Sequence, residues 1–167
     1  IFSLPAGWQL DSGLLDSRYR QLQREFHPDR YAASGEVEKR LAVQTTSLIN
    51  QAYETLKSPF KRAQYLLEMA GINADQESHI TSDASFLMQQ IELRESLEEA
   101  EQSADPLSAL ESMHDNVEAQ YQQLQNSFKE QYQSTEYNTA LDTVAKMQFF
   151  SKLLNEIEQR EEELEDF

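Results

Sequence analysis

The sequence predicts an all-α protein built in two unlike halves. Its 167 residues hold only 4 Gly and 4 Pro amid abundant Gln, Glu, Leu and Ala, a composition that favours long helices. Apolar residues recur at spacings of three and four, and no segment alternates with the period of a strand. Every proline falls at a point of punctuation: Pro5 before the first clear helix, Pro28 in a loop, Pro59 and Pro106 at first-turn positions.

Asp11 or Ser12 can cap a first helix that runs to about Phe26. Its apolar residues Leu15, Tyr19, Leu22 and Phe26 form one stripe, and Arg20 and Arg24 lie on the opposite face, one turn apart. A loop follows from His27 to Gly35. The next helix spans about Glu36 to Lys57, with Leu41, Leu48, Ala52, Tyr53 and Leu56 as expected core positions. Ser58-Pro59 opens a short helix to about Ala70, where Gly71 suits a C-terminal stop. Residues 71–82 read as a linker or packed loop. Ser82 or Asp83 can cap a helix to about Gln102, and Asp105-Pro106 starts another to about Gln133. Ser134-Thr135 turns the chain into a last helix that reaches nearly to the end. Three long antiparallel helices with short connections are the simplest packing for this half.

Charge divides the chain at the same place. The net charge is −16, yet residues 1–65 carry +2 and residues 66–167 carry −18. An acidic half of this size argues against nucleic acid and anionic membrane as partners, because both attract cationic surfaces. No apolar run approaches the roughly 18 residues that would cross a membrane. The opening Ile1-Phe2-Ser3-Leu4-Pro5 has no basic stretch and no long apolar core, so no signal peptide is expected, and without an initiator Met a few native residues are expected to precede it. There is no cysteine, hence no disulfide and no thiolate ligand for a metal or cluster. A cytoplasmic location fits this composition, and no cofactor is expected.

Within the first loop, His27-Pro28-Asp29 concentrates rigid and ionisable groups. Pro28 fixes one backbone angle and disfavours helix at His27. Asp29 can accept charge-assisted hydrogen bonds from a partner arginine or from nearby backbone. Taken alone, the tripeptide also reads as a turn with a capping aspartate. A catalytic His–Asp pair would need a nucleophile or a substrate cleft, and nothing local supplies either. His79 and His114 show no ligand spacing with each other or with His27; His79 reads as a loop residue and His114 as a helix-face residue.

Three segments in order resemble the J-domain family, whose members switch on ATP-hydrolysing chaperones. They are Tyr19…Leu22…Phe26-His27-Pro28-Asp29-Arg30, then Ile49-Asn50-Gln51-Ala52-Tyr53-Glu54-Thr55-Leu56, then Pro59-Phe60-Lys61-Arg62-Ala63-Gln64-Tyr65. Ordinary J-domains carry Asp after the residue matching Tyr65, whereas Leu66-Leu67-Glu68 follows here. There is no Gly/Phe-rich segment and no cysteine-rich zinc module. With the acidic helical half, and with Phe86-Leu87-Met88-Gln89-Gln90-Ile91-Glu92-Leu93-Arg94-Glu95 within it, the chain resembles the HscB family of bacterial iron–sulfur cluster assembly. The resemblance implies an L-shaped, all-helical co-chaperone: residues 1–70 a J-domain, a helical hairpin with its His-Pro-Asp loop; 71–82 a linker; 83–167 a three-helix bundle that binds a scaffold. It implies two partners, the DnaK-class chaperone HscA and the cluster scaffold IscU, and no active site of the protein's own. Chaperone docking would fall to His27, Pro28 and Asp29, flanked by Arg20, Arg24 and Arg30.

The acidic half adds a signal of its own. At about 100° per residue, Phe86, Leu93, Leu97 and Ala100 share one narrow sector of their helix. Leu87, Met88 and Ile91 lie roughly 100° to 200° away, on a side shared with Glu92, Glu95 and Glu99. In the last helix Met147, Phe150, Leu154, Ile157 and Leu164 form an approximate heptad seam, and Phe149 falls outside it. These outlying residues could pack on the J-domain or deepen the bundle. An apolar cluster fringed with glutamates also reads as a partner patch, and in the HscB family Leu87, Met88, Ile91, Glu92, Glu95, Glu99 and Phe149 match positions implied to hold the scaffold. A general J-protein serving other clients, or a structural helical adaptor, are the other readings.

Overall fold

The structure is a computed structural model and describes residues 1–74 and 83–166. The expected linker of 71–82 and His79 therefore fall largely or wholly outside the described residues. Among the described residues six α-helices follow in order: α1 Ser12–Phe26, α2 Glu36–Lys57, α3 Pro59–Met69, α4 Ala84–Glu101, α5 Pro106–Gln133 and α6 Tyr137–Glu165. The expected loop after α1 begins as a 3-10 turn, Pro28–Tyr31. No strand occurs among the described residues, and no helix there is long and apolar enough to cross a membrane. The chain divides into two compact units, Ile1–Leu66 and Leu67–Phe167, so the division falls inside α3.

Capping decides where these helices begin. The Asp11 carboxylate accepts the Leu14 N–H at 3.0 Å, Asp83 accepts that of Phe86 at 3.2 Å, and Asp105 accepts that of Ser108 at 3.2 Å. Their ends use left-handed turns. Gly71 (φ 83°) closes α3 while the Ile72 N–H reaches back to the Leu67 carbonyl at 2.9 Å. Thr135 (φ 56°) takes the same role after α5, where the Glu136 N–H reaches the Gln131 carbonyl at 2.9 Å. A β-branched residue is strained there, so the sharp α5–α6 turn is held by packing rather than by its own preference.

In the first unit, Phe2, Leu15 and Ile49 form a buried nucleus, with Leu4, Leu10, Tyr19, Leu22, Phe26, Ala52, Tyr53 and Leu56 around it. The α1 stripe lies where its spacing places it. The α2 expectation was partly displaced: Leu41 and Leu48 are exposed, and Ala42 and Ile49 are buried in their stead. Residues 41 and 48 are seven apart, as are 42 and 49, so both pairs define straight stripes about 100° apart. Around the helix Tyr53 and Leu56 lie nearer to Ile49 than to Leu48, and that side is the one that meets α1. The segment before α1, which carried no helical pattern, is tied down as well. Phe2 is buried, and Arg18 donates to the Phe2 carbonyl at 2.6 Å. The Arg62 guanidinium lies over the Trp8 ring, 4.3 Å from its centre.

In the second unit α5 and α6 run antiparallel across a short turn, and α4 packs alongside. Leu110, Val117, Tyr121 and Phe128 of α5 are buried, as are Ala140, Val144, Met147, Phe150, Leu153, Leu154 and Ile157 of α6. Phe86, Leu97 and Ala100 supply the α4 contribution. The expected α6 seam holds as far as Ile157, but Leu164 is exposed. Helix α4 ends at Glu101, whose carboxylate pairs with Arg160, so the final turn of α6 runs past its neighbour.

Ion pairs close the α4–α6 seam. Asp83 pairs with Lys146 at 2.8 Å, and Arg94 pairs with Glu156. With Glu101–Arg160, the order of contacts rises along both helices, so α4 and α6 are parallel, as an up-down-up bundle requires. Three of the five Lys/Arg in residues 66–167 serve this one seam.

Two measurements check these assignments. Ile49→Ala should cost about 3 kcal/mol in urea denaturation, while Leu48→Ala should change stability by no more than about 0.5 kcal/mol. The hydrogen bonds from Lys146 and from the Phe86 N–H lower the Asp83 pKa in the folded state. A depressed folded pKa contributes stability that is complete above the unfolded value of about 3.9 and is lost as the pH falls through the folded one. Asp83→Asn should therefore lower the urea midpoint at pH 7, and the gap to the native chain should narrow as the pH is taken below about 4.

Candidate functional sites: a cationic turn and an exposed helix face

Site one stands at the end of α1. Pro28 disfavours helix at the preceding residue, and His27 accordingly adopts φ −58°, ψ 131°. The chain leaves the α1 axis there and enters the 3-10 turn, closed by the Arg30 N–H to the His27 carbonyl at 3.0 Å. The imidazole Nδ1 accepts the Asp29 N–H at 3.2 Å. The same nitrogen lies 3.6 Å from the Asp29 carboxylate. The Asp29 side chain is 93% exposed and free to accept from outside.

Arg20, Gln23, Arg24, His27 and Arg30 line one open depression, so the structure brings the predicted cations together beside the imidazole. Arg30 also donates to the Arg24 carbonyl at 3.3 Å and Arg20 to the Asp16 carbonyl at 3.3 Å, which orients both guanidiniums against the α1 backbone. Pro28 and Asp29 stand on the turn outside that depression.

The hairpin beneath the turn is held by polar contacts. The Tyr19 and Tyr53 rings stack 3.8 Å apart and 8° from parallel. The Tyr19 hydroxyl donates to Asn50 Oδ1 at 2.7 Å, and the Gln23 amide donates to the Tyr19 oxygen at 2.7 Å. The Tyr53 hydroxyl donates to Asp16 at 2.6 Å while Lys57 donates to the Tyr53 oxygen at 2.9 Å, which raises the Lys57 pKa. Thr46 donates to the carbonyl of Phe26, the residue before the triad, at 2.9 Å. Sequence reasoning missed Thr46 and Gln23. The signal for Thr46 was its place on the Ala42–Ile49 stripe of α2, a polar residue aimed at the end of α1.

Site two is the outer side of α4. Leu87, Met88 and Ile91 are all exposed, and so are Glu92, Glu95 and Glu99. The bundle buries Phe86, Leu97 and Ala100 from the same helix, so α4 is apolar on a packed face and on a free one. The free residues spread over about 140° of the helix: Leu87 and Ile91 on the α6 flank, Met88, Glu95 and Glu99 outermost, Glu92 on the α5 flank. Glu92 borders a polar groove with Gln89, Gln120 and Gln123, and Gln89 donates to Gln120 across it.

Phe149 belongs to the α6 flank but is half-buried. Its ring meets those of Phe86 (5.8 Å, 89°) and Phe150 (5.5 Å, 87°) edge to face. The Arg94 guanidinium sits 5.5 Å from its centre. The structure thus brings Phe149 to α4, with Arg94 as the group between it and the exposed anchors.

Known proteins share both units. A family model for the DnaJ domain matches residues 9–65. A model described as the HSCB C-terminal oligomerisation domain matches residues 82–158. The solved structure of chaperone HscB from Vibrio cholerae is 40% identical, with a TM-score of 0.82, covering 98% of this chain and 96% of that one. This chain belongs to the HscB family. Human co-chaperone protein HscB is 28% identical with a TM-score of 0.82, over 95% of this chain and 79% of that one. The Jac1 co-chaperone of Saccharomyces cerevisiae, 22% identical with a TM-score of 0.69 over 93% of this chain and 86% of that one, shares the fold. An HscB-family chain is a J-domain co-chaperone of iron–sulfur cluster assembly, and its family implies a DnaK-class chaperone and a cluster scaffold as partners.

Proposed function

We propose that this protein stimulates the ATPase of HscA and delivers the scaffold IscU to it, without an active site of its own. The observation that carries the reading is α4, which keeps Leu87, Met88 and Ile91 in solvent although the bundle has buried its other apolar face. A helix folded only for stability gains by burying such residues, each worth about 1.5–3 kcal/mol. Left outside and fringed by Glu92, Glu95 and Glu99, they fit a partner surface that offers an apolar pocket edged by cations.

At the other site, Arg20, Arg24 and Arg30 attract an acidic surface of the chaperone. His27, Pro28 and Asp29 then dock as a rigid turn, with the Asp29 carboxylate accepting from a partner arginine. In this reading the chemistry is the chaperone's own ATP hydrolysis. Carrying the scaffold on the same chain raises its effective concentration at the chaperone.

The test is a steady-state ATPase assay with HscA, IscU and this protein. The native chain should accelerate hydrolysis, and His27→Gln should abolish the acceleration with helicity unchanged; an unaltered rate with the variant would sink the chaperone assignment. In a pull-down of IscU, Leu87→Ala/Phe149→Ala should lose the signal, since a central anchor contributes about 1–3 kcal/mol of binding. Capture undiminished by the double variant would refute the α4 face as the scaffold site.

A further inference from the structure

We propose that Arg94 is a positioning residue that holds Phe149 in place for the scaffold; this rests on the reading of the α4 face given above. Arg94 is the lone cation in the α4 sequence. It lies three residues after Ile91 and seven after Leu87, which puts it on the α6 flank of the exposed anchors. Its guanidinium is over the Phe149 ring and is also paired with Glu156 one helix away.

Phe149 needs such a hold. Phe86 and Phe150 meet its ring edge to face, and neither lies parallel over it. A half-buried ring pays rotamer entropy when a partner fixes it. The guanidinium removes that cost in advance, because its own position is already set. Glu156 fixes Arg94, Arg160 reaches Glu156 at 3.8 Å, and Glu101 holds Arg160. The four charges alternate in sign along the α4–α6 seam, so loosening one end is felt at the ring. A cation over an aromatic face amid carboxylates also explains why an Arg stands beside an apolar patch.

A double-mutant cycle on the full chain, read by calorimetric titration with IscU, tests this. Arg94→Gln should weaken binding about threefold, the size of a partly exposed cation–π contact. In the Phe149→Ala background the same substitution should change affinity by less than about 1.5-fold, because the group it positions is gone. Arg94→Lys should recover part of the loss, and Glu156→Gln should weaken binding in the same direction even if Arg94→Gln lowers stability. Losses that multiply independently, or no loss at Arg94, overturn the positioning role and leave the scaffold reading standing. A native chain that fails to bind IscU overturns both.

Discussion

Helix α4 has to be held by a single narrow stripe, and the rest of the second unit is arranged around that constraint. Phe86, Leu97 and Ala100 are its fully buried apolar positions, a thin anchor for an 18-residue helix. The seam with α6 is completed by Asp83–Lys146, Arg94–Glu156 and Glu101–Arg160. Each such pair, half-exposed, contributes little by itself. Spaced along the whole helix, they set register and direction at points where further apolar contact would have consumed the outer face. In a unit with five cations, placing three of them here leaves the remaining surface almost uniformly acidic. The exposed leucine, methionine and isoleucine of α4 are thus kept available by the way α4 is fastened.

The first unit solves a related problem with a turn. Pro28 forces the chain off the α1 axis, and the Tyr19–Tyr53 stack with its hydrogen bonds fixes the hairpin below. The triad can be exposed because what supports it is elsewhere: Phe26 lies in the core rim and its carbonyl is satisfied by Thr46. In the proposed reading, an exposed Asp29 over a rigid base would lose little freedom on docking, which favours fast and specific engagement. Both units follow the same logic, an exposed face on a frame fastened behind it.

Most of this architecture was legible in the residues. Helix bounds came from Asp11, Asp83, Asp105, Pro59, Pro106 and Gly71, whose capping and breaking effects are local and need no tertiary information. The two-faced character of α4 followed from angle alone, because Phe86 and Leu87 point about 100° apart whatever surrounds them. What escaped depended on neighbours. Leu41–Leu48 and Ala42–Ile49 are equally periodic, and only contact with α1 selects between them. Leu164 falls in register with the α6 seam, but its exposure is set by where α4 stops. Phe2 is buried from a segment with no pattern, through a loop whose path the sequence does not encode simply. Arg94 reads as one more surface cation until Phe149 and Glu156 are brought beside it from about sixty residues away.

The central claim is that one molecule must present both surfaces at once. The direct measurement is complementation in the ATPase assay with HscA and IscU. A full-length chain altered at His27 (His27→Gln) is mixed with one altered on α4 (Leu87→Ala/Ile91→Ala). The account predicts that the mixture gives none of the additional stimulation that IscU brings with the native chain, because scaffold and turn ride on different molecules. Recovery of the native, IscU-dependent rate by the mixture would contradict it.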